Sequence, residues 1–272
     1  MGQVSLDESY GRGLARAAAG AIIFSFPLIM TMEMWELGFY VDRLRLALFF
    51  LVTSAVVYGL AVFAGFRESE SAADDVLDAL AALAVGFVVS AALLTLFGLL
   101  GPDMPLREIV GKVAVQAAPA SIGAIVANKQ LQGNGEGADN PREERAGYLG
   151  QLFLMTAGAL FLAFNVAPTE EMVLIGYQMG PWHAVAAVAA SLILLHALVY
   201  TVGFGGQAEH EGHARAFVHY TLAGYGAALL VSLYILWTFG RLDHASVAET
   251  VRSAIVLGFP ASLGAAAARL LV

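Results

Sequence analysis

The chain has 272 residues and no cysteine. Disulfides, thiolate metal sites, iron–sulfur clusters and a cysteine nucleophile are therefore excluded. Charge is scarce: Asp, Glu, Lys and Arg make up 13% of residues, about half the share of an ordinary soluble domain, which is too little to clothe a water-facing surface. Basic residues are scarcer still, 14 against 22 acids for a net charge of −8. No basic surface for nucleic acid is expected from that balance. Residues 1–20 are polar with acids ahead of the arginines, and no cleavage site follows the first apolar run, so a cleaved signal peptide is not expected. Met1-Gly2 begins like a myristoylation signal, but Leu6 stands where Ser or Thr is needed. Insertion is expected to rest on internal spans.

Those spans are plentiful. Hydrophobic residues reach 59% and the mean hydropathy is +0.73. A membrane helix takes roughly 20 apolar residues, and eight segments qualify: 14–32, 44–66, 77–100, 108–127, 148–167, 182–204, 216–239 and 247–271. The fourth and eighth are the weakest, with Arg107, Glu108 and Lys112, or Glu249 and Arg252, in their first turns. The expected fold is an all-α polytopic bundle with the lipid bilayer as its principal partner. Runs such as Ala91-Ala92 and Ala265–Ala268 suit close helix packing in lipid.

An internal repeat organises the chain. A shift of 138 residues lays Thr31, Glu33, Met34 and Gly38 on Thr169, Glu171, Met172 and Gly176, and Gly20 on Gly158. With a slightly longer loop in the second half, Ser90 matches Ser232, Phe97-Gly98 matches Phe239-Gly240, and Pro119-Ala120-Ser121 matches Pro260-Ala261-Ser262. The expected division is a polar segment over 1–13, a first repeat over 14–128, a hydrophilic linker over 129–146 and a second repeat over 147–272. Four spans per repeat, an even number, predicts two repeats in parallel orientation about an axis along the membrane normal. With the amino terminus inside, eight basic residues fall on the cytoplasmic side and six opposite. The positive-inside rule then favours both termini in the cytoplasm by a small margin.

The informative carboxylates are Glu33 and Glu36 in the first repeat and Glu170 and Glu171 in the second, each following an apolar run. A carboxylate at membrane depth costs at least about 2.5 kcal/mol, so it faces a cavity, pairs, or binds a cation. Pro27 and Pro168 would break the helices and free carbonyl oxygens. Hard cations such as Ca²⁺ take oxygen donors of this kind, and acidic rings select cations. Glu33 and Glu171 are the expected ligands, with Glu36, Glu170, Thr31 and Thr169 as supporting donors. Self-association into a homo-oligomer would multiply the acids into a ring. The competing account puts the same acids in the headgroup layer, with Trp35 and Tyr40 as an aromatic belt.

Other polar residues within spans are few. Tyr58 and His196 occupy equivalent positions, His219 and Tyr220 enter the seventh span, and Gln116 lies in the fourth. His196 is a candidate proton relay, its ordinary pKa being about 6.5. Glu209-His210-Glu211 with His213, and the acidic run Glu68–Asp78, read as solvated segments.

Tyr10-Gly11-Arg12-Gly13, Phe26-Pro27-Leu28, Thr31-Met32-Glu33-Met34-Trp35 and Ala167-Pro168-Thr169-Glu170-Glu171 together resemble an uncharacterised family of bacterial integral membrane proteins, found in cyanobacteria and proteobacteria and catalogued as a domain of unknown function. The resemblance spans nearly the whole chain and implies a multi-span membrane protein without assigning an activity; the bacterial inner membrane is the expected location. Ala167–Glu171 is also similar to the Glu-Glu motif of CAAX-processing and bacteriocin-immunity membrane proteases. That family places an arginine where Ile175 stands and adds two histidine motifs, for which His196 and His219 are the available residues. The reading favoured by the residues is a channel or transporter for a small inorganic cation, a divalent metal or a proton-coupled ion, with no cofactor beyond the ion itself. An intramembrane metalloprotease and a non-transporting scaffold or sensor are the alternatives.

Overall fold

Pro27 has no N–H to give the preceding turn, and the first helix stops two residues after it. Helix α1 (Leu6–Ile29) carries Pro27 in its last turn. The chain then turns, Met30 N–H donating to the Pro27 carbonyl at 3.3 Å and Thr31 N–H to that of Leu28 at 3.1 Å. Thr31 is extended, and a nine-residue helix, α2 (Met32–Tyr40), starts from it. This break was not expected from hydropathy alone, because Met30, Met32 and Met34 keep the run apolar across it. The computed structural model describes residues 6–64, 71–130, 147–201 and 217–271, and every regular element among them is helical.

The chain divides into two units, Met1–Asn140 and Pro141–Val272. The first continues after α2 with α3 (Arg43–Ala64), α4 (Ala72–Leu96) and α5 (Leu106–Gln130). Asp42 starts α3 by accepting the Leu44 and Arg45 N–H groups at 2.9 and 3.2 Å. Ser71 and Asp74 form a reciprocal capping box at the start of α4, satisfying donors that a helix start leaves unpaired. Helix α5 packs against all four others. With 83% of its span buried, it is the core of the unit, although Glu108 and Lys112 made it one of the weakest spans by hydropathy.

The second unit has the same succession: α6 (Tyr148–Val166), the nine-residue α7 (Glu170–Gln178), α8 (Pro181–Thr201), a π-helical turn over Phe217–Leu222 leading into α9 (Ala223–Thr238), and α10 (Val247–Leu271). Helix α10 packs against α6, α7, α8 and α9. Corresponding details recur in each unit. Helices α4 and α9 end on Gly98 and Gly240, with φ of 72° and 71°. Leu99 N–H then returns to Leu94 and Arg241 N–H to Leu236, both at 2.8 Å. This Schellman closure needs a residue without a Cβ penalty. Gly20 of α1 meets Gly123 of α5, and Gly158 of α6 meets Gly264 of α10, so closely that a Cβ on either glycine would strike its partner's carbonyl oxygen. Such contacts let helices adhere where lipid removes the hydrophobic drive between them.

Eight helices among the described residues are long and apolar enough to cross a membrane: Gly11–Ile29, Arg43–Phe63, Ala72–Leu96, Leu106–Ala127, Tyr148–Val166, Pro181–Val199, Phe217–Thr238 and Val247–Ala268. They coincide with the eight expected spans to within a few residues.

Candidate functional site

In each unit the short helix lies over the first turns of the last long helix. Gly38 of α2 presses on the backbone of Gly111 and Lys112, and Gly176 of α7 on Ser253. Both short helices begin in the same way. Thr31 Oγ1 donates to the Leu28 carbonyl at 2.8 Å, and Thr169 Oγ1 to that of Val166 at 2.9 Å. Met34 and Met172 are each 1% exposed and anchor the helix in its unit. Three of the four identities shared by the two blocks thus have a packing role: the threonine closes the turn, the methionine anchors, and the glycine admits the last helix. The glutamates are what remains.

Glu33 is half-buried in the first turn of α2, and Glu36 is exposed one turn on. Glu170 and Glu171 open α7 and are exposed. Acids in a first turn also complement the helix dipole. The threonine hydroxyl hydrogens are committed to carbonyls, which leaves their oxygen lone pairs as the donors available to a cation. Glu33, Glu36 and Thr31 belong to the first unit, and Glu170, Glu171 and Thr169 to the second. No group of three or more His, Asp or Glu side chains suited to a metal ion is found among the described residues.

Basic side chains tie the short helices down. In the first unit, Lys112 is buried and pairs with Glu108 at 2.7 Å. Its ammonium lies 3.5 Å from the Leu99 carbonyl and 5.9 Å from the centre of the Trp35 ring. In the second unit, Arg241 donates to the Pro168 carbonyl just before α7, and Arg252 to the Met179 carbonyl just after it, the latter at 3.3 Å. Ser246 and Glu249 form a capping box at the start of α10. Tyr177 of α7 donates to Glu249, and that bond with the carboxylate's charge raises the phenol above its ordinary pKa.

His196 sits elsewhere. It lies fifteen positions into α8, about 22 Å along the axis from the end next to α7. Its Nδ1 is 2.8 Å from Thr221 Oγ1, and its ring contacts Phe217. His219 stacks edge-on against Tyr148. The arrangement a Glu-Glu protease needs, with Glu170, Glu171 and both histidines around one point, is not formed. The Glu209–His213 stretch lies outside the described residues.

Of the acidic run Glu68–Asp78, residues 68–70 lie outside the described residues, and two acids in the first turns of α4 differ from the expected solvated face. Asp75 and Asp78 are each only 4% exposed, and neither is without a partner. They continue the buried stripe of Ala79, Ala82, Gly86, Ser90 and Leu94, a three-and-four spacing readable in the sequence but masked by the acids around it. Lys112, taken as a first-turn charge, is likewise buried.

A family model for integral membrane proteins, the domain of unknown function DUF2391, matches residues 13–272. The chain belongs to that family. It is therefore an integral membrane protein, and the DUF2391 match covers both units. No curated protein and no solved structure matches the chain.

Proposed function

We propose that this DUF2391 protein carries a small inorganic cation across a bacterial inner membrane, with Glu33 and Glu171 as the principal oxygen ligands. Glu36, Glu170, Thr31 and Thr169 are supporting donors, and His196 is a group available for proton coupling. The observation that carries the reading is the repetition of an acid at one position of both short helices, after packing has accounted for the threonine, methionine and glycine beside it. Glu33 is half-buried beside the fully buried Met34, a setting in which a carboxylate calls for a cation or a partner. A homo-oligomer would gather further copies of these acids, and both termini lie in the cytoplasm on this reading.

The test is flux. Purified protein in liposomes is loaded with indicators for Ca²⁺, Mn²⁺, K⁺ and protons, and wild type is compared with Glu33→Gln and Glu171→Gln. A ligand contributing about 1.4 kcal/mol to ion occupancy changes it about tenfold, and each variant is expected to lose flux on that scale. Equal flux in the variants removes these ligands. No flux of any ion leaves the scaffold reading in place.

A further inference from the structure

The buried polar residues are unequally divided between the units. Among the described residues of the second they are Ser191, Thr221, Ser232, Thr238, Ser253 and Ser262, all hydroxyls. The first buries two carboxylates, an ammonium and an amide as well: Asp75, Asp78, Lys112 and Gln116. At the positions matching the last two, the second unit has Ser253 and Leu257, and at those matching the aspartates it has Phe217 and Tyr220. Ionisable groups inside a membrane bundle are costly and mark pathways.

A second observation is independent of charge. Serines and threonines in membrane helices normally return their hydroxyl to a carbonyl one turn back. Ser191 does so to Ala187 and Ser232 to Ala228, at 2.8 and 2.7 Å. Their counterparts in the first unit, Thr53 and Ser90, are fully buried, and neither hydroxyl finds a partner among the described residues. An unmade hydrogen bond in such a place costs about 1–3 kcal/mol.

These groups are spread along the unit in order. Gly86 of α4 abuts Ser121 of α5 and fixes their relative height. From that level, at a rise of about 1.5 Å per residue, Ser90 lies about 6 Å and Lys112 about 13 Å toward the α2 end. Asp78 lies about 12 Å the other way. The Phe50–Phe87 ring contact sets Thr53 about 3 Å from the waist on the Asp78 side. Gln116 donates to the Ser25 carbonyl at 2.7 Å. The distance from Asp78 to Lys112 is thus about 25 Å, close to the roughly 30 Å of hydrocarbon a path must cross.

We infer that a proton path runs through the first unit, from Asp75 and Asp78 past Thr53 and Ser90 to Lys112, with no counterpart at the matching positions of the second. This rests on the transport reading and names its ion. At the waist, the Ser121 hydroxyl, itself donated to the Ala117 carbonyl, occupies the space a Cβ on Gly86 would take, so α4 and α5 touch there glycine against hydroxyl and leave no bore for a hydrated metal ion at that contact. Steps of several ångströms exceed one hydrogen bond, and water completes the file. Each relaying oxygen takes a proton on a lone pair and releases its own to the next acceptor; the Lys112 ammonium first gives a proton to Glu108, 2.7 Å away, and the amine left behind takes the one arriving from the file. Only O–H and N–H bonds form and break, and no electron moves. Gln116 positions water and carries no proton.

The experiment uses full-length protein in liposomes with an internal pH dye and a K⁺–valinomycin potential. Wild type is compared with Asp78→Asn, with the double variant Thr53→Val and Ser90→Ala, and with its mirror in the second unit, Ser191→Ala and Ser232→Ala. Proton flux is expected to fall about tenfold or more in the first two and to stay at the wild-type rate in the mirror. Unfolding of each double variant is followed in parallel: removing the unpaired Thr53 and Ser90 hydroxyls leaves the fold as stable or more so, and a purely structural role leaves flux unchanged. If Asp78→Asn does not fold, the two double variants still decide. Equal flux in both overturns the path. Metal-ion flux without proton flux overturns it and leaves the transport reading standing, whereas no flux of any ion overturns both.

Discussion

Gly158 and Gly226 offer the sharpest test of how the second unit is held together. Both are helix-interior glycines, in α6 and α9, and replacing either with alanine gains about 1 kcal/mol of helix propensity. Their surroundings differ completely. A Cβ at Gly226 meets nothing within 4 Å, whereas one at Gly158 strikes the Gly264 carbonyl oxygen and the Ala268 methyl. A backbone carbonyl inside a helix cannot swing aside, so α6 and α10 must separate. Overpacking of this kind costs about 1–3 kcal/mol, here at the upper end, leaving Gly158→Ala about 2 kcal/mol less stable than wild type. Gly226→Ala should be about 1 kcal/mol more stable, a separation of about 3 kcal/mol. Reversible unfolding by SDS in mixed micelles, followed by helical circular dichroism, resolves a difference of that size. Gly20→Ala, which meets Gly123 and Ala127 in the first unit, should repeat the loss. Equal midpoints for Gly158→Ala and Gly226→Ala would refute the claim that backbone contact joins α6 to α10.

Other expectations follow from the helix ends. Gly98→Ala and Gly240→Ala force a side chain into φ near 70° and should each cost about 1–2 kcal/mol in the same unfolding assay. Arg241→Gln and Arg252→Met release the carbonyls on either side of α7, so amide exchange over Glu170–Gln178 should speed up while α6 is unaffected; unchanged protection there removes the arginines as ties. The Tyr177 phenol is raised by its bond to Glu249, so the phenol–carboxylate bond is intact below the ordinary tyrosine pKa of about 10 and is lost as pH climbs through the raised value. Glu249→Gln should lower that titration toward the ordinary value, read by absorbance against Tyr177→Phe.

Hydropathy made the eight spans legible because a bilayer leaves a helix few alternatives. Pro27 and Pro168 signalled the breaks, but hydropathy did not show that a separate short helix follows each, since Met30, Met32 and Met34 carry the apolar run across the first. The shared Thr-x-Glu-Met block was visible as a repeat, but its meaning was not. Burial of Met34 and Met172 and the close approach at Gly38 and Gly176 assign most of the block to packing. Asp75 and Asp78 were misread because neighbouring charges suggested a solvated face, whereas their helical spacing with Ala82, Gly86 and Ser90 pointed inward. Thr53 and Ser90 carry no sequence signal of their own, because whether a hydroxyl finds its carbonyl depends on the rotamer.

The seating of Gly38 on the head of α5 has a mechanical consequence. With backbone against backbone and no flexible side chain between them, the cap and the central rod of the first unit must tilt as one lever. A nitroxide at Glu36, exposed on that cap, would therefore report displacement of the buried α5 without a label being placed in the core.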